Sequence, residues 1–150
     1  MTLEAILAYL HLLAILTMVV FIASEAALCR VEWLNAAVVE RLAKVDRVYG
    51  IAALAVIATG VARTWWGVKG TAWYWTNPLL HLKLTLFVVV GLISIAPTLQ
   101  FLRWRKALRN NAAFRVRETD WTSARRLVLI ELHLVALIPF AAVLMSRGLP

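Results

Sequence analysis

One cysteine, Cys29, stands in 150 residues. That excludes an intrachain disulfide, and without a C-x-x-C or C-x-x-C-H pattern neither a dithiol redox pair nor covalent haem attachment is available. Acidic residues are also scarce: 8 Asp and Glu stand against 16 Lys and Arg, for a formal net charge of +8. Polar sequence is short throughout, since 63% of residues are hydrophobic and mean hydropathy is +0.80. A soluble domain of this size needs far less apolar sequence, so the composition belongs to an integral membrane protein. G-x-S-x-G, H-E-x-x-H, phosphate-cradling glycine and D-x-D-x-D-G patterns are missing, as are internal repeats and low-complexity tracts. A single helical bundle is expected to use up this length, with no catalytic domain outside the membrane.

The apolar sequence falls into four segments, about 3–28, 48–65, 78–101 and 127–145, each near the ~20 residues that a helix needs to cross a bilayer. The expected architecture is all-α, an integral membrane four-helix bundle forming one domain over 1–150. The opening Met-Thr-Leu-Glu lacks the positive n-region of a signal peptide, so the first segment is expected to stay as a helix. Asn77-Pro78 marks a stop and restart, and Pro97 and Pro139 mark kinks. Residues 32–46 alternate apolar and charged positions in a helical rhythm, which suits a surface-lying helix and a cytoplasmic extension of the second span equally well.

Basic residues crowd at one side. Leaving out Lys83, the loops after the first and third spans hold twelve, against three (Arg63, Lys69 and Arg147) on the other side. The positive-inside rule then puts both termini outside, in a multi-pass protein of a bacterial plasma (inner) membrane. The same rule, with the anionic headgroups of the bilayer as partner, accounts for the net charge, and nucleic-acid binding is not expected. The loop after the second span carries five of the fifteen aromatics, as an interfacial belt does.

Ionisable groups inside apolar segments are site candidates by default. His11, His81 and Lys83 fall in the outer half, roughly 13, 6 and 9 Å below the surface at ~1.5 Å per residue, while Glu131 and His133 lie roughly 20 Å down. His11, Met18 and Glu25 recur every seven residues and form one stripe that should face the bundle. Tyr49, Ala53, Val56, Gly60 and Arg63 form another, whose small residues admit a second helix or a flat cofactor. Residues two apart on a helix diverge by about 200°, so His81 and Lys83 cannot share one partner, nor can Glu131 and His133.

Neutral imidazole in a dry bundle ligates haem iron or a transition metal, and two histidines from different helices are a common way to hold haem b. His11 with His81, or either with His133, is the pairing to examine, with His11 and His81 as the metal candidates. A tight zinc tetrahedron of all three histidines is disfavoured by their scatter in depth. Plainer readings stand beside these. His81 near the interface can bond headgroups, Lys83 and Arg63 can snorkel, and Glu131 can pair with Arg47, Arg126 or Tyr49. Asp46-Arg47 reads as a solvated charge pair at the start of the second span.

The histidine within helix 1, the stretch Arg41-Leu-Ala-Lys-Val-Asp-Arg47-Val-Tyr-Gly and the run Leu80-His81-Leu82-Lys83-Leu84 together resemble the HemJ-type protoporphyrinogen oxidases. Those are small four-helix membrane proteins related to the CopD copper-resistance group. The whole chain is also similar to an uncharacterised family of predicted bacterial membrane proteins of like length. The HemJ resemblance spans helices 1 to 3. It implies that His11 and Lys83 serve haem binding and oxidase activity, with Lys83 in the catalytic role. The family's proline-, arginine- and histidine-bearing tract at the end of helix 1 is replaced here by Ala23-Ser-Glu25-Ala-Ala-Leu-Cys-Arg30.

The expectation is a haem b-binding membrane redox protein, a HemJ-like oxidase or an electron carrier. Its cofactor contacts are sought among His11, His81, His133, Lys83 and Arg63, and its partners are an electron donor or acceptor or a quinone. The small-residue stripes suit a homodimer or a larger membrane complex. The alternatives are a non-catalytic accessory subunit and a CopD-like metal or solute permease.

Overall fold

The computed structural model describes residues 2–67 and 69–147. The helices are α1 (Thr2–Leu28), α2 (Ala36–Trp66), α3 (Thr71–Thr76), α4 (Pro78–Asn110) and α5 (Glu118–Ser146), with a 3-10 turn at Val31–Trp33 between α1 and α2. Among the described residues no strand occurs, and α1, α2, α4 and α5 are each long and apolar enough to cross a membrane. The helix starts are chemically marked. The Asn35 side chain accepts from the Val38 amide at 2.9 Å, and Asn77 accepts from the Leu79 amide at 2.9 Å beside Pro78, which meet donors that a first turn leaves unpaired.

The chain runs up and down. α1 packs along α2 and α4 along α5, and the two hairpins close through α2 with α4 and α1 with α5. One end of the bundle, the arginine-rich end, carries the α1–α2 and α4–α5 connections. The other, the terminal end, carries α3 and the described chain ends.

A narrow stripe of each helix is buried: Met18 and Ile22 on α1, Leu42, Tyr49 and Val56 on α2, Val90 and Phe101 on α4, Val128 and Val135 on α5. The opposite faces carry exposed Leu16, Leu54, Leu92 and Phe140, an apolar exterior that suits lipid as solvent. At the arginine-rich end Trp121 is 0% exposed and stacks on Trp104 with ring centroids 5.5 Å apart.

Three helices outrun their apolar segments. α2 begins at Ala36 rather than residue 48, because Val38, Val39 and Leu42 continue its buried stripe, so residues 32–46 are mostly an extension of α2. α4 continues to Asn110, where Arg105 and Arg109 meet Glu40 of α2 at 2.9 and 3.2 Å. α5 starts at Glu118, well before residue 127. Hydropathy marks where lipid ends, whereas backbone hydrogen bonding and side-chain packing carry a helix beyond it.

Candidate functional site: two polar clusters in the bundle

The first cluster lies toward the terminal end, between α1, α2 and α4. His11 is half-buried, and its Nδ1 lies 2.8 Å from the Thr59 hydroxyl on α2. That hydroxyl donates its one proton to the Ala55 carbonyl at 2.6 Å. With that proton spent, Thr59 accepts from a proton on Nδ1 of His11, and the Val56 backbone carbonyl also lies against the ring. Gly60 supplies the room: a Cβ there would stand 3.2 Å from Cε1 of the His11 ring. The cations whose fields reach His11 are Arg63 and Lys83, both half-buried, and Arg63 in turn acts on Lys83.

Arg63 and Lys83 are thus the cations whose charge reaches His11, and the other two histidines lie elsewhere. His81 is exposed and donates from Nε2 to the Trp75 carbonyl at 2.9 Å, which ties α4 to the last turn of α3. His133 is exposed on α5 and donates from Nδ1 to the Leu129 carbonyl at 2.6 Å. Each pair separated by one residue is split as helical geometry requires, Lys83 inward and His81 outward, Glu131 buried and His133 exposed. Among the described residues no group of three or more His, Cys, Asp or Glu is arranged to hold a metal ion.

The second cluster is acidic and lies toward the arginine-rich end. Glu25 of α1 and Glu131 of α5 are each 1% exposed, and Asp46 of α2 is 6% exposed. Asp46 and Glu131 are the charges felt at Glu25. Tyr49 donates to Glu131 at 3.4 Å, a long bond, and Thr98 of α4 donates to Asp46 at 2.7 Å. The Oε1 atoms of Glu25 and Glu131 are buried without a hydrogen-bond partner. Among the described residues the ion pairs are those of Glu40 and Asp120, so none reaches these three carboxyl groups.

Asp46 corrects the reading of Asp46-Arg47 as a solvated pair. Because α2 starts at Ala36, Asp46 sits well inside the helix on its buried face, while Arg47, turned 100° onward, is exposed. A signal was present in the sequence, for Asp46 precedes Tyr49 by three positions and shares its stripe. Thr59 and Thr98 carried no comparable signal, since their partners are remote in sequence. Of the partners weighed for Glu131, Tyr49 is the one that meets it. Cys29, just beyond α1, is buried and free, and burial with Glu25 close by pushes its thiol up to about 12.

Residues 3–150 match the model of a family described as predicted membrane protein (DUF2214). No curated protein and no solved structure gives a significant match.

Proposed function

The chain belongs to the DUF2214 family of predicted membrane proteins, and on that premise we propose that it binds haem b inside the bundle. His11 is the iron ligand, Lys83 the second nitrogen beside it and Arg63 the partner of a propionate. The role is electron transfer or a HemJ-like oxidation, in which Lys83 serves as proton acceptor. The observation that carries this reading is the tautomer of His11. A metal-bound imidazole normally donates its other N–H to a fixed acceptor, and Thr59 is such an acceptor here. The charge of the surroundings supports a dianionic ligand as well. Two half-buried cations stand near His11, whereas the terminal end offers one acidic residue, Glu4, which enters none of the ion pairs found among the described residues. An anionic ligand relieves that imbalance.

Haem, when bound, supplies one-electron iron chemistry. The chain's own part is to hold the imbalanced cations in a low-dielectric interior, to orient the His11 ring through Thr59 and to make room for it at Gly60. In this reading the arginine-rich end faces the cytoplasm of a bacterial plasma membrane. The accessory-subunit reading keeps one observation of its own: His133, an ionisable group at membrane depth, is exposed on an open face of α5 with Leu129, Ile130 and Leu134. A partner subunit over that face would shield it from lipid.

The test is an absorption spectrum of protein purified in detergent from haem-replete cells. A Soret band with reduced α and β bands is expected, abolished in His11→Ala and weakened in Lys83→Met, which keeps the apolar stem and deletes the amine. A haem-free protein, or a His11→Ala spectrum identical to wild type, would overturn the assignment and leave the accessory-subunit reading. Reporter fusions after Arg109 and at Pro150 should land on opposite sides, the former cytoplasmic.

A further inference from the structure

At the arginine-rich end a cavity of about 370 Å³ opens between α4, α5 and the segment joining them, lined chiefly by Gln100, Arg103, Trp104, Phe114, Arg117 and Asp120. It lies at headgroup level. Gln100 is roughly 33 Å along α4 from Pro78 at ~1.5 Å per residue, just past a hydrocarbon core of about 30 Å.

The wall is rigid, because Trp104 is buried against Trp121 and Phe101. Asp120 fixes the Arg117 guanidinium through bonds of 3.0 and 3.2 Å to Nε and Nη2, which leaves N–H groups of the fork unused. Arg103 is exposed and enters none of the ion pairs among the described residues. The Oε1 of Gln100 is buried and has no hydrogen-bond partner. Leu99, one turn toward the membrane from Arg103 on the same face, is exposed and offers acyl chains an apolar wall.

We propose that this cavity binds the headgroup of an anionic phospholipid that carries free hydroxyls, of the phosphatidylglycerol type. The phosphate lies between Arg103 and Arg117, and a half-turn of the Gln100 amide, which exchanges its closed-off Oε1 with Nε2, lets a glycerol hydroxyl donate to the oxygen. Each part excludes a competitor. Phosphatidylcholine has no hydroxyl to donate, phosphatidic acid has the phosphate without the glycerol, and inorganic phosphate has no chain to lay along Leu99. The site is at the opposite end from His11 and stands independently of any haem.

The experiment is native mass spectrometry of the full chain released from phosphatidylcholine nanodiscs containing dioleoylphosphatidylglycerol, with dioleoylphosphatidic acid in parallel. Wild type should retain phosphatidylglycerol at least roughly fivefold above its share of the bilayer, the scale of one basic residue's attraction for an anionic headgroup. Arg103→Gln, at an exposed position that folding does not need, should bring retention down to the bilayer share. Gln100→Leu should erase the preference for phosphatidylglycerol over phosphatidic acid while keeping the preference over phosphatidylcholine. Arg41→Gln removes the same charge elsewhere at this end and should change nothing. Equal loss in Arg41→Gln would reduce the effect to diffuse attraction. Displacement by millimolar inorganic phosphate would make the site one for free phosphate, and either result, or no enrichment in wild type, overturns the proposal.

Discussion

The two ends of the bundle invert one another. At the arginine-rich end the surface is basic and the interior acidic, with Glu25, Asp46 and Glu131 buried beneath twelve Lys and Arg residues of the flanking segments. At the terminal end the surface carries little charge, yet in the interior the charges of Arg63 and Lys83 reach His11. Surface charge follows topology and lipid, and would be the same for any bundle inserted this way round. Interior charge has no such cause. Like charges gathered away from water are unfavourable unless something offsets them. In the acidic core Thr98 and Tyr49 donate to Asp46 and Glu131. The basic core has no carboxylate paired with it among the described residues, and that is the ground for proposing a ligand of negative charge there.

The contrast can be broken most sharply at Cys29. With its thiol pushed up to about 12, the thiolate at pH 8 is on the order of a thousandfold scarcer than for a free cysteine, and it grows about tenfold with each pH unit until that value. Iodoacetamide should therefore label folded protein about a thousand times more slowly than unfolded protein. Fast labelling would mean water in the acidic core and erase the difference between the two ends.

Next in size is a matched pair of substitutions. Thr59→Val removes the hydroxyl that meets His11 and, if haem is held as proposed, should loosen it by about 10–100-fold, the usual effect of losing an outer-shell partner. Thr98→Val makes the same chemical change in the acidic cluster and should leave haem titrations unaltered. Equal effects from both would mean a general loosening of the bundle and no division of labour between its ends.

Stability should distinguish the members of the acidic core. Asp46→Ala leaves the Thr98 hydroxyl without its 2.7 Å acceptor and should cost about 1–3 kcal/mol by thermal unfolding in micelles, most of it recovered in Asp46→Asn. The smallest effect belongs to Glu25→Gln. The Glu25 side chain makes no hydrogen bond among the described residues, so Glu25→Gln, which keeps its shape and leaves no partner unpaired, should change stability by less than about 1 kcal/mol. A clear loss would mean that Glu25 holds a cation or a proton donor in the folded protein.

Much of the fold was legible because lipid imposes so simple a rule: an apolar stretch that crosses must be helical, and four stretches make a bundle. The seven-residue stripe of His11, Met18 and Glu25 also read through to the structure, where Met18 and Glu25 are buried and His11 half-buried. Helix ends read poorly. The extension of α2 back to Ala36 depends on Val38, Val39 and Leu42 packing against neighbours, and the same apolar rhythm would have served a helix lying on the membrane surface. Among the site candidates, spacing could say that His81 and Lys83 point apart but not which of them points inward.

By itself, then, the sequence determined the solvent, the helical class, the four crossings and the asymmetry of surface charge, since each depends on composition and on periods of a few residues. Tertiary structure alone decided that His11 meets Thr59 and that Asp46 turns from a solvated charge into a core acceptor for Thr98. The physical reason is common to both. Each depends on a partner 48 or more residues away, as between His11 and Thr59, or 52, as between Asp46 and Thr98. Which faces meet at that distance is chosen by how four helices pack together, and no single helix carries that information.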